Sequence, residues 1–433
     1  VLFSKLDSDN IKAFSIFAIL VIGPLGAALV VDMFTGDDSL ARVTHNRYQD
    51  NTPVLLLLDS EDKPHIFWYG WRPPRYWRLY HATFLPSENC WRTETCPVSA
   101  GIPSWEFTGA IDNEDNIHLV YAYRENQGKY DGIEHLIRYH NGSWSSPQRI
   151  LDYGYSPPPR ICQLDINPNT QESCLYICIQ ESESFFVKHF LHVPSRDWEL
   201  KSEIQIPIRR TDDFVGIRQE GENEIRIQYA NQARSDFSID SLICSYLNLE
   251  TFQELRTESF PITGNIIRSE YIAEFHAGPV GLLAAELEPL ANFGPTTLSF
   301  YFEEPSGQWT QNLIAEQLTM DQGYFDAGRE SSDQLSGNEY LYTLEMRIAP
   351  DTVNAGFYFV RLLTDERSIQ NISHGWGLRE QGVDNGGPVT AIYSLGRLHI
   401  AWLRCDKYPD YDSEIYYDYQ GSGWDVIAWS LFQ

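Results

Sequence analysis

Three histidines stand at matching places in the chain, and imidazoles at recurrent positions are the residue type most able to bind a metal or move a proton at neutral pH. They are His65 in Lys63-Pro-His-Ile-Phe-Trp68, His118 in Asn116-Ile-His-Leu-Val-Tyr121 and His399 in Arg397-Leu-His-Ile-Ala-Trp402, each third in its run and each just after a turn. If the runs are equivalent strands of different sheets, the imidazoles are held far apart, and packing or turn-bonding is the role to expect. Asp406, Asp410 and Asp412 could ligate calcium, but their spacing matches no standard loop and fits a solvated acidic loop better. The expectation is therefore no catalytic set, no metal site and no cofactor.

The elements that carry these histidines are read from Ile111-Asp-Asn-Glu-Asp-Asn-Ile-His-Leu-Val-Tyr-Ala-Tyr-Arg124 and Gly132-Ile-Glu-His-Leu-Ile-Arg-Tyr-His-Asn-Gly-Ser-Trp144. This is a strand end, an Asp/Asn-rich turn, a second strand, a third strand, and a Trp opening a fourth. The pattern recurs. A Trp opens the outer strand at Trp91, Trp144, Trp198, Trp309 and Trp424, with Phe252 and Arg367 in the same place, at steps of 53, 54, 54, 57, 58 and 57 residues. So regular a period predicts seven four-stranded antiparallel sheets in a closed ring. Their spans are about 52–98, 104–152, 158–207, 212–261, 265–318, 322–375 and 387–433. Each sheet buries both faces against its neighbours, which accounts for the near-continuous apolar strands. The last sheet is expected to end on an outer strand from Trp424, and Val43 to Tyr48 could add a strand to it and help close the ring.

Composition agrees with β structure: 14% of the 433 residues are aromatic and only 3 are Met. A formal net charge of −28 excludes nucleic acid as a partner, because phosphate binding needs clustered Lys and Arg. Seven cysteines are an odd number. Cys90 and Cys96 could close a small loop in an oxidising compartment, whereas Cys174 and Cys178 would share one face of a strand as buried thiols.

Ala13 to Val31 is a run of 19 residues without a charge, long enough to cross a bilayer core as one helix. Lys5 and Lys12 precede it and Asp32, Asp37 and Asp38 follow, which predicts a cytoplasmic N-terminus and a body on the periplasmic or extracellular side. The expected organisation is an N-terminal segment 1–34 with a single transmembrane helix (about 13–31), a linker 35–50, and the ring over 51–433. A cleaved signal peptide is the competing reading of the apolar run.

The Asp-x-x-x-Asn-Ile-His-Leu-Val-Tyr strand pair of Asp112–Tyr121 with Asn141-Gly-Ser-Trp144 resembles the BNR and sialidase-like family of β-propellers. The similarity is good in the first, second and seventh repeats and weak in the fourth to sixth. The Ser-x-Asp-x-Gly-x-x-Trp box of sialidases is absent, so the resemblance implies a β-propeller fold and not an activity; with the period of seven repeats the expected fold is an all-β, seven-bladed β-propeller. A sialidase-type site would need three converging arginines, a Tyr nucleophile with a Glu partner, and an Asp acid. Arg72, Arg75, Arg138, Arg160, Arg209 and Arg210 are scattered along the chain, with no pattern that brings three together.

Two aromatic stretches suggest a partner surface instead. Trp68-Tyr-Gly-Trp-Arg-Pro-Pro-Arg-Tyr-Trp77 has the composition of an interface hot spot, and Tyr408-Pro-Asp-Tyr-Asp-Ser-Glu-Ile-Tyr-Tyr417 is an acidic counterpart in the sheet that would adjoin it. Trp71, Arg72, Arg75, Tyr76, Trp77, Tyr408 and Tyr411 are the candidate contact residues; the same aromatics could simply cover the ring junction. The functional expectation is a non-catalytic accessory or scaffold subunit of a larger membrane protein complex, such as a respiratory or photosynthetic one. Its partners would be other membrane subunits and, through residues 13–31, the lipid bilayer. The alternative is a surface-anchored carbohydrate-active enzyme or glycan-binding propeller.

Overall fold

The computed structural model describes residues 43–44 and, with interruptions, 49–419. The expected membrane segment 13–31 and the expected outer strand from Trp424 lie outside the described residues. Among the described residues there is no helix long and apolar enough to cross a membrane.

The chain runs as successive antiparallel meanders. β1 (Gln49–Leu58), β2 (Pro64–Arg72), β3 (Tyr76–Leu85) and β4 (Cys90–Thr95) form the first. β5 (Ile102–Ile111), β6 (Ile117–Arg124), β7 (Gly132–Arg138) and β8 (Gln148–Asp152) form the second, and β9 (Arg160–Ile166), β10 (Ser173–Glu181), β11 (Ser184–His192) and β12 (Glu199–Ile206) the third. β13 (Phe214–Glu220), β14 (Glu224–Asn231), β15 (Ser238–Asn248) and β16 (Glu254–Ile267) follow, then β17 (His276–Ala277), β18 (Gly281–Leu287), β19 (Pro295–Glu303) and β20 (Trp309–Thr319). Next come β21 (Asp333–Ser336), β22 (Glu339–Arg347), β23 (Ala355–Leu363) and β24 (Ser368–Ile372), and finally β25 (Val389–Ser394), β26 (Arg397–Cys405) and β27 (Ser413–Tyr419).

The first strand of a meander packs beside the first strand of the next: β1 by β5, β5 by β9, β9 by β13, β13 by β17, and β21 by β25. β25 and β26 in turn pack on β1, so the last strands return to the first. β27 also pairs with β1 at Ser413 and Gln49, which merges the two meanders into one seven-stranded sheet.

The amino-acid pattern explains this stacking. Side chains alternate across a strand, so a strand buried on both sides needs apolar residues at every position. In β6, Ile117, Leu119, Tyr121 and Tyr123 join a core with Leu55, Leu57, Phe67 and Leu79 of the first meander. Its intervening residues, Val120 and Ala122, join a separate core with Ile161, Leu175 and Ile177 of the third. A third core links Tyr176 and Val187 to Ile225 and Ile227, and a fourth links Val54, Ile66 and Trp68 to Ala401, Ile415 and Tyr417.

That fourth core is closed by the N-terminal side of the ring. Val43 N–H donates to the Ile415 carbonyl at 2.8 Å, and the Ile415 N–H donates to Thr44 Oγ1 at 2.9 Å. Val43 and Thr44 are each 2% exposed. They therefore lie against β27, without forming a strand; the rest of the strand expected over Val43 to Tyr48 lies outside the described residues.

The cysteine expectations divide. Cys174 and Cys178 both pack on the core between the third and fourth meanders, as thiols on one strand face. A Cys90–Cys96 bridge is ruled out: both are free thiols, and β4 pairs with β3 along its length between them. Six extended steps separate the two by about 20 Å, far beyond disulfide reach.

Candidate functional site

The recurrent histidines are anchored by recurrent turns. Asp59 Oδ1 accepts from the N–H groups of Glu61 and Lys63, and Asp112 Oδ1 from those of Glu114 and Asn116. Such a carboxylate satisfies the backbone of a tight turn that has no other partners. Each turn ends on a left-handed residue, Asp62 at φ 65° and Asp115 at φ 59°. These two aspartates reach back one sheet. Asp115 accepts from Ser60 N–H at 2.8 Å and Ser60 Oγ–H at 2.7 Å, while Asp62 Oδ2 lies 3.4 Å from His399 Nε2.

Behind each turn lies a relay of buried side chains. His65 Nδ1 meets His81 Nε2 at 3.0 Å, His118 Nδ1 meets His135 Nε2 at 3.0 Å, and His399 Nδ1 meets Tyr417 Oη at 2.7 Å. On their other nitrogens, His65 faces Asp59 at 3.5 Å and His118 faces Asp112 at 3.3 Å. In the first relay His81 Nδ1 also meets Glu94 Oε1 at 2.9 Å, and Arg138 Nε donates to that same oxygen at 2.9 Å.

Counting hydrogens fixes the first relay. Burial would raise the Glu94 pKa, but hydrogen bonds from His81 and Arg138 outweigh it and hold it at about 2, so Glu94 only accepts. His81 then donates through Nδ1–H and accepts at Nε2 from His65 Nδ1–H. Two neutral imidazoles own two hydrogens, and His65 Nε2 faces Asp59 without one. That contact is the longest of the three. Burial drives the His81 pKa down to about 3 and that of His135 well below its usual value, so both rings are neutral in the folded protein. This chemistry is structural: in the first relay the His81 nitrogens are taken by Glu94 and His65, and the remaining His65 nitrogen faces the turn carboxylate at 3.5 Å.

Each third-strand ring is capped by an aromatic residue of the following meander. Trp144 stands edge-on to His81 at 6.1 Å, Trp198 edge-on to His135 at 5.2 Å, and Phe252 stacks on His189 at 5.6 Å. In all three pairs the cap follows its histidine by 63 positions. Trp91 caps Tyr417 at 5.3 Å in the same way, so the contact carries across from the last strands to the first meander.

The chain is a β-propeller. No family model matches it, and no curated protein matches it. Among solved structures it is similar to a polysaccharide lyase of family PL25, an ulvan lyase bound to -[GlcA(1-4)Rha3S]-, at 13% identity and TM-score 0.49, covering 90% of this chain and 97% of that one. It is similar to the β-propeller domain of the trilobed protease from Pyrococcus furiosus, described as having an open velcro topology, at 9% identity and TM-score 0.48, over 88% and 95% of the two chains. The Trypanosoma rangeli sialidase in complex with the inhibitor DANA is similar at 8% identity and TM-score 0.46, over 89% of this chain and 57% of that one. The fold assignment rests on the sheets and their packing.

The propeller treats the other sequence candidates unevenly. Trp71 and Arg72 end β2 and pair with Trp77 and Tyr76 of β3. Trp77 is half-buried and stacks on Tyr69 at 4.8 Å. Arg75, Tyr408 and Tyr411 lie outside the described residues, as do Asp406, Asp410, Asp412, Arg209 and Arg210. Arg138 is engaged by Glu94. Among the described residues, no group of three or more His, Cys, Asp or Glu is placed to hold a metal ion.

One feature escaped the sequence reading. Between the second and third meanders a cleft of about 930 Å³ opens, lined by His118, His135, Tyr139, Gln148, His192, Arg196 and Asp197 among others. Gln148 hydrogen-bonds His135 and donates Nε2–H to Asp197 Oδ1 at 3.0 Å. His192 stacks on Trp198 at 5.0 Å. The only advance signal was a run of polar residues after each third strand, which a solvated loop would share.

Proposed function

We propose that the chain is a seven-bladed propeller that works by binding, as a non-catalytic accessory or scaffold subunit of a larger membrane protein complex. One observation carries this reading: the recurrent imidazoles and aspartates, the groups best suited to acid–base work, are committed to buried relays and turn caps. The blade count follows from the outer-strand period, with the strands after residue 389 and Val43–Thr44 making the seventh blade. A helix over 13–31 would tether the ring on the periplasmic or extracellular side, with the N-terminus in the cytoplasm. Val43 is fixed on Ile415, so 32–42 alone would join anchor and ring, about 35–40 Å when fully extended. A ring held that close suits contact with neighbouring membrane subunits, with Trp71, Arg72, Arg75, Tyr76, Trp77, Tyr408 and Tyr411 as the proposed contact residues.

Purification of the full chain in mild detergent tests this. Stoichiometric co-purifying membrane subunits, lost on changing Arg72, Arg75 and Trp77 to Ala without loss of thermal stability, are the expected result. A monomer that cleaves a glycan would overturn it in favour of a carbohydrate-active enzyme. A glycan-binding role is the second reading, and the cleft between the second and third blades favours it.

A further inference from the structure

Asn141-Gly142-Ser143 is an acceptor sequence for N-glycosylation, and it stands in the connection between β7 and β8. We propose that Asn141 is a modification site that carries an N-linked glycan, with the first sugar packed on the side chain of Tyr139. This rests on the placement of the propeller outside the cytoplasm and is independent of the scaffold role.

The first argument is the geometry of the turn. Gly142 N–H donates to the Tyr139 carbonyl at 2.8 Å and Tyr139 N–H to the Ser143 carbonyl at 2.8 Å, with Gly142 at φ 85°. This is a tight turn closed by a left-handed glycine bulge. Ser143 donates twice to Asn141 Oδ1, from its N–H at 2.9 Å and from Oγ–H at 2.7 Å. A backbone N–H can only donate, so the atom it meets is the side-chain oxygen, and the amide nitrogen is the one left over. Among the described residues Asn141 Nδ2 has no hydrogen-bond partner, and Asn141 and Ser143 are both exposed. The acceptor nitrogen is therefore offered to solvent, by a turn whose own bonds are all local.

The second argument is the aromatic neighbour. Tyr139 is 40% exposed, and its ring stacks on no other among the described residues. It pairs with Ser143 across the turn, and cross-strand partners hold their Cβ atoms about 4.5–5.5 Å apart. Ser143 in turn holds the Asn141 amide, so a sugar on Nδ2 emerges beside Tyr139. The C–H face of a pyranose is apolar, and laying it on the aromatic ring removes both surfaces from water. Asn371 of the second acceptor sequence, Asn371-Ile-Ser373, lies instead inside β24, paired with Val360.

The transfer needs a donor oligosaccharide carried on a lipid pyrophosphate and a lumenal transferase. A bond forms between Asn141 Nδ2 and the anomeric carbon, the bond from that carbon to the pyrophosphate oxygen breaks, and the pyrophosphate leaves with the electron pair. The amide proton passes to a base of the transferase.

Expression of the full chain in cultured eukaryotic cells tests the proposal, with protease protection of isolated microsomes, glycopeptide mass spectrometry, and thermal melts before and after peptide-N-glycosidase. The expected result is a protected propeller with a glycan on Asn141 that is lost in Ser143→Ala. Release of the glycan should lower the melting temperature of the parent, and lower that of Tyr139→Ala by less than half as much. A protected propeller with Asn141 unmodified would overturn the proposal and leave the membrane topology standing. A propeller open to protease would overturn the topology and this proposal with it. A glycan whose release shifts parent and Tyr139→Ala equally would overturn the packing on Tyr139.

Discussion

Trp198 stands edge-on to His135 across the boundary between the third and second blades, with ring centroids 5.2 Å apart and planes at 87°. The two rings meet edge to face, the favoured geometry for an aromatic pair. Trp144 repeats the contact on His81, Phe252 replaces it with a parallel stack on His189, and Trp91 makes it on Tyr417. The outer-strand aromatic therefore locks each of these blades to the one before it.

Removing such a lock should cost as much as emptying a core site. Trp198→Ala is expected to lower stability by about 3–5 kcal/mol, and Trp198→Phe by less than half of that. Denaturant unfolding followed by far-UV circular dichroism measures both. A loss below about 1 kcal/mol for Trp198→Ala would mean that the aromatic caps are not what joins the blades.

The buried imidazoles make the propeller acid-sensitive. His81 titrates at about 3 in the folded chain and near 6.5 when unfolded, and burial likewise lowers His65, His135, His189 and His192. A depressed histidine contributes stability that is fully present above the unfolded value and lost as pH falls toward the folded one. At pH 5 the loss is about 2 kcal/mol for each histidine that stays neutral. Melting temperature should be flat from pH 8 to 7 and fall steeply from 6.5 to 5, before carboxylates titrate. A curve that stays flat down to pH 5 would contradict the neutral relays.

The outer turns give a separable test. Asp115 has φ 59° and holds Ser60 through two hydrogen bonds. Asp115→Gly removes the bonds and keeps the conformation easy, whereas Asp115→Ala removes the bonds and adds left-handed strain of about 1 kcal/mol. Alanine should therefore be the less stable variant by about that amount, as read from denaturation midpoints. Equal stability would show that the turn relaxes without its aspartate.

The architecture was legible where a single side chain had to reach a fixed neighbour. Trp91 and Trp309 stand in the opening positions of β4 and β20, Trp198 directly precedes β12, and Phe252 lies two residues before β16. Trp91, Trp198 and Phe252 each span one blade boundary, and that sets a near-constant period. Trp144 lies four residues ahead of β8, bridged to Arg138, and still keeps its place over His81.

What the sequence hid depends on register. His81 and His135 follow their partners by 16 and 17 residues, a distance set by hairpin pairing that no local pattern encodes. The cleft was hidden for a stronger reason: it is space left between two blades, and Gln148 meets Asp197 from 49 residues away. For Cys90 and Cys96 the short separation misled, because the strand between them is extended.

Ring closure is the claim on which the rest depends, and hydrogen exchange on the full chain tests it most directly. The Ile415 N–H is held by Thr44 Oγ1 and the Ile415 carbonyl by Val43 N–H. Peptides covering β27 and β1 should exchange as slowly as those covering β10, and Thr44→Val should speed both together, since it leaves a buried N–H unpaired at a cost of about 1–3 kcal/mol. Fast exchange across β27 in the parent chain, indifferent to Thr44→Val, would contradict a closed ring.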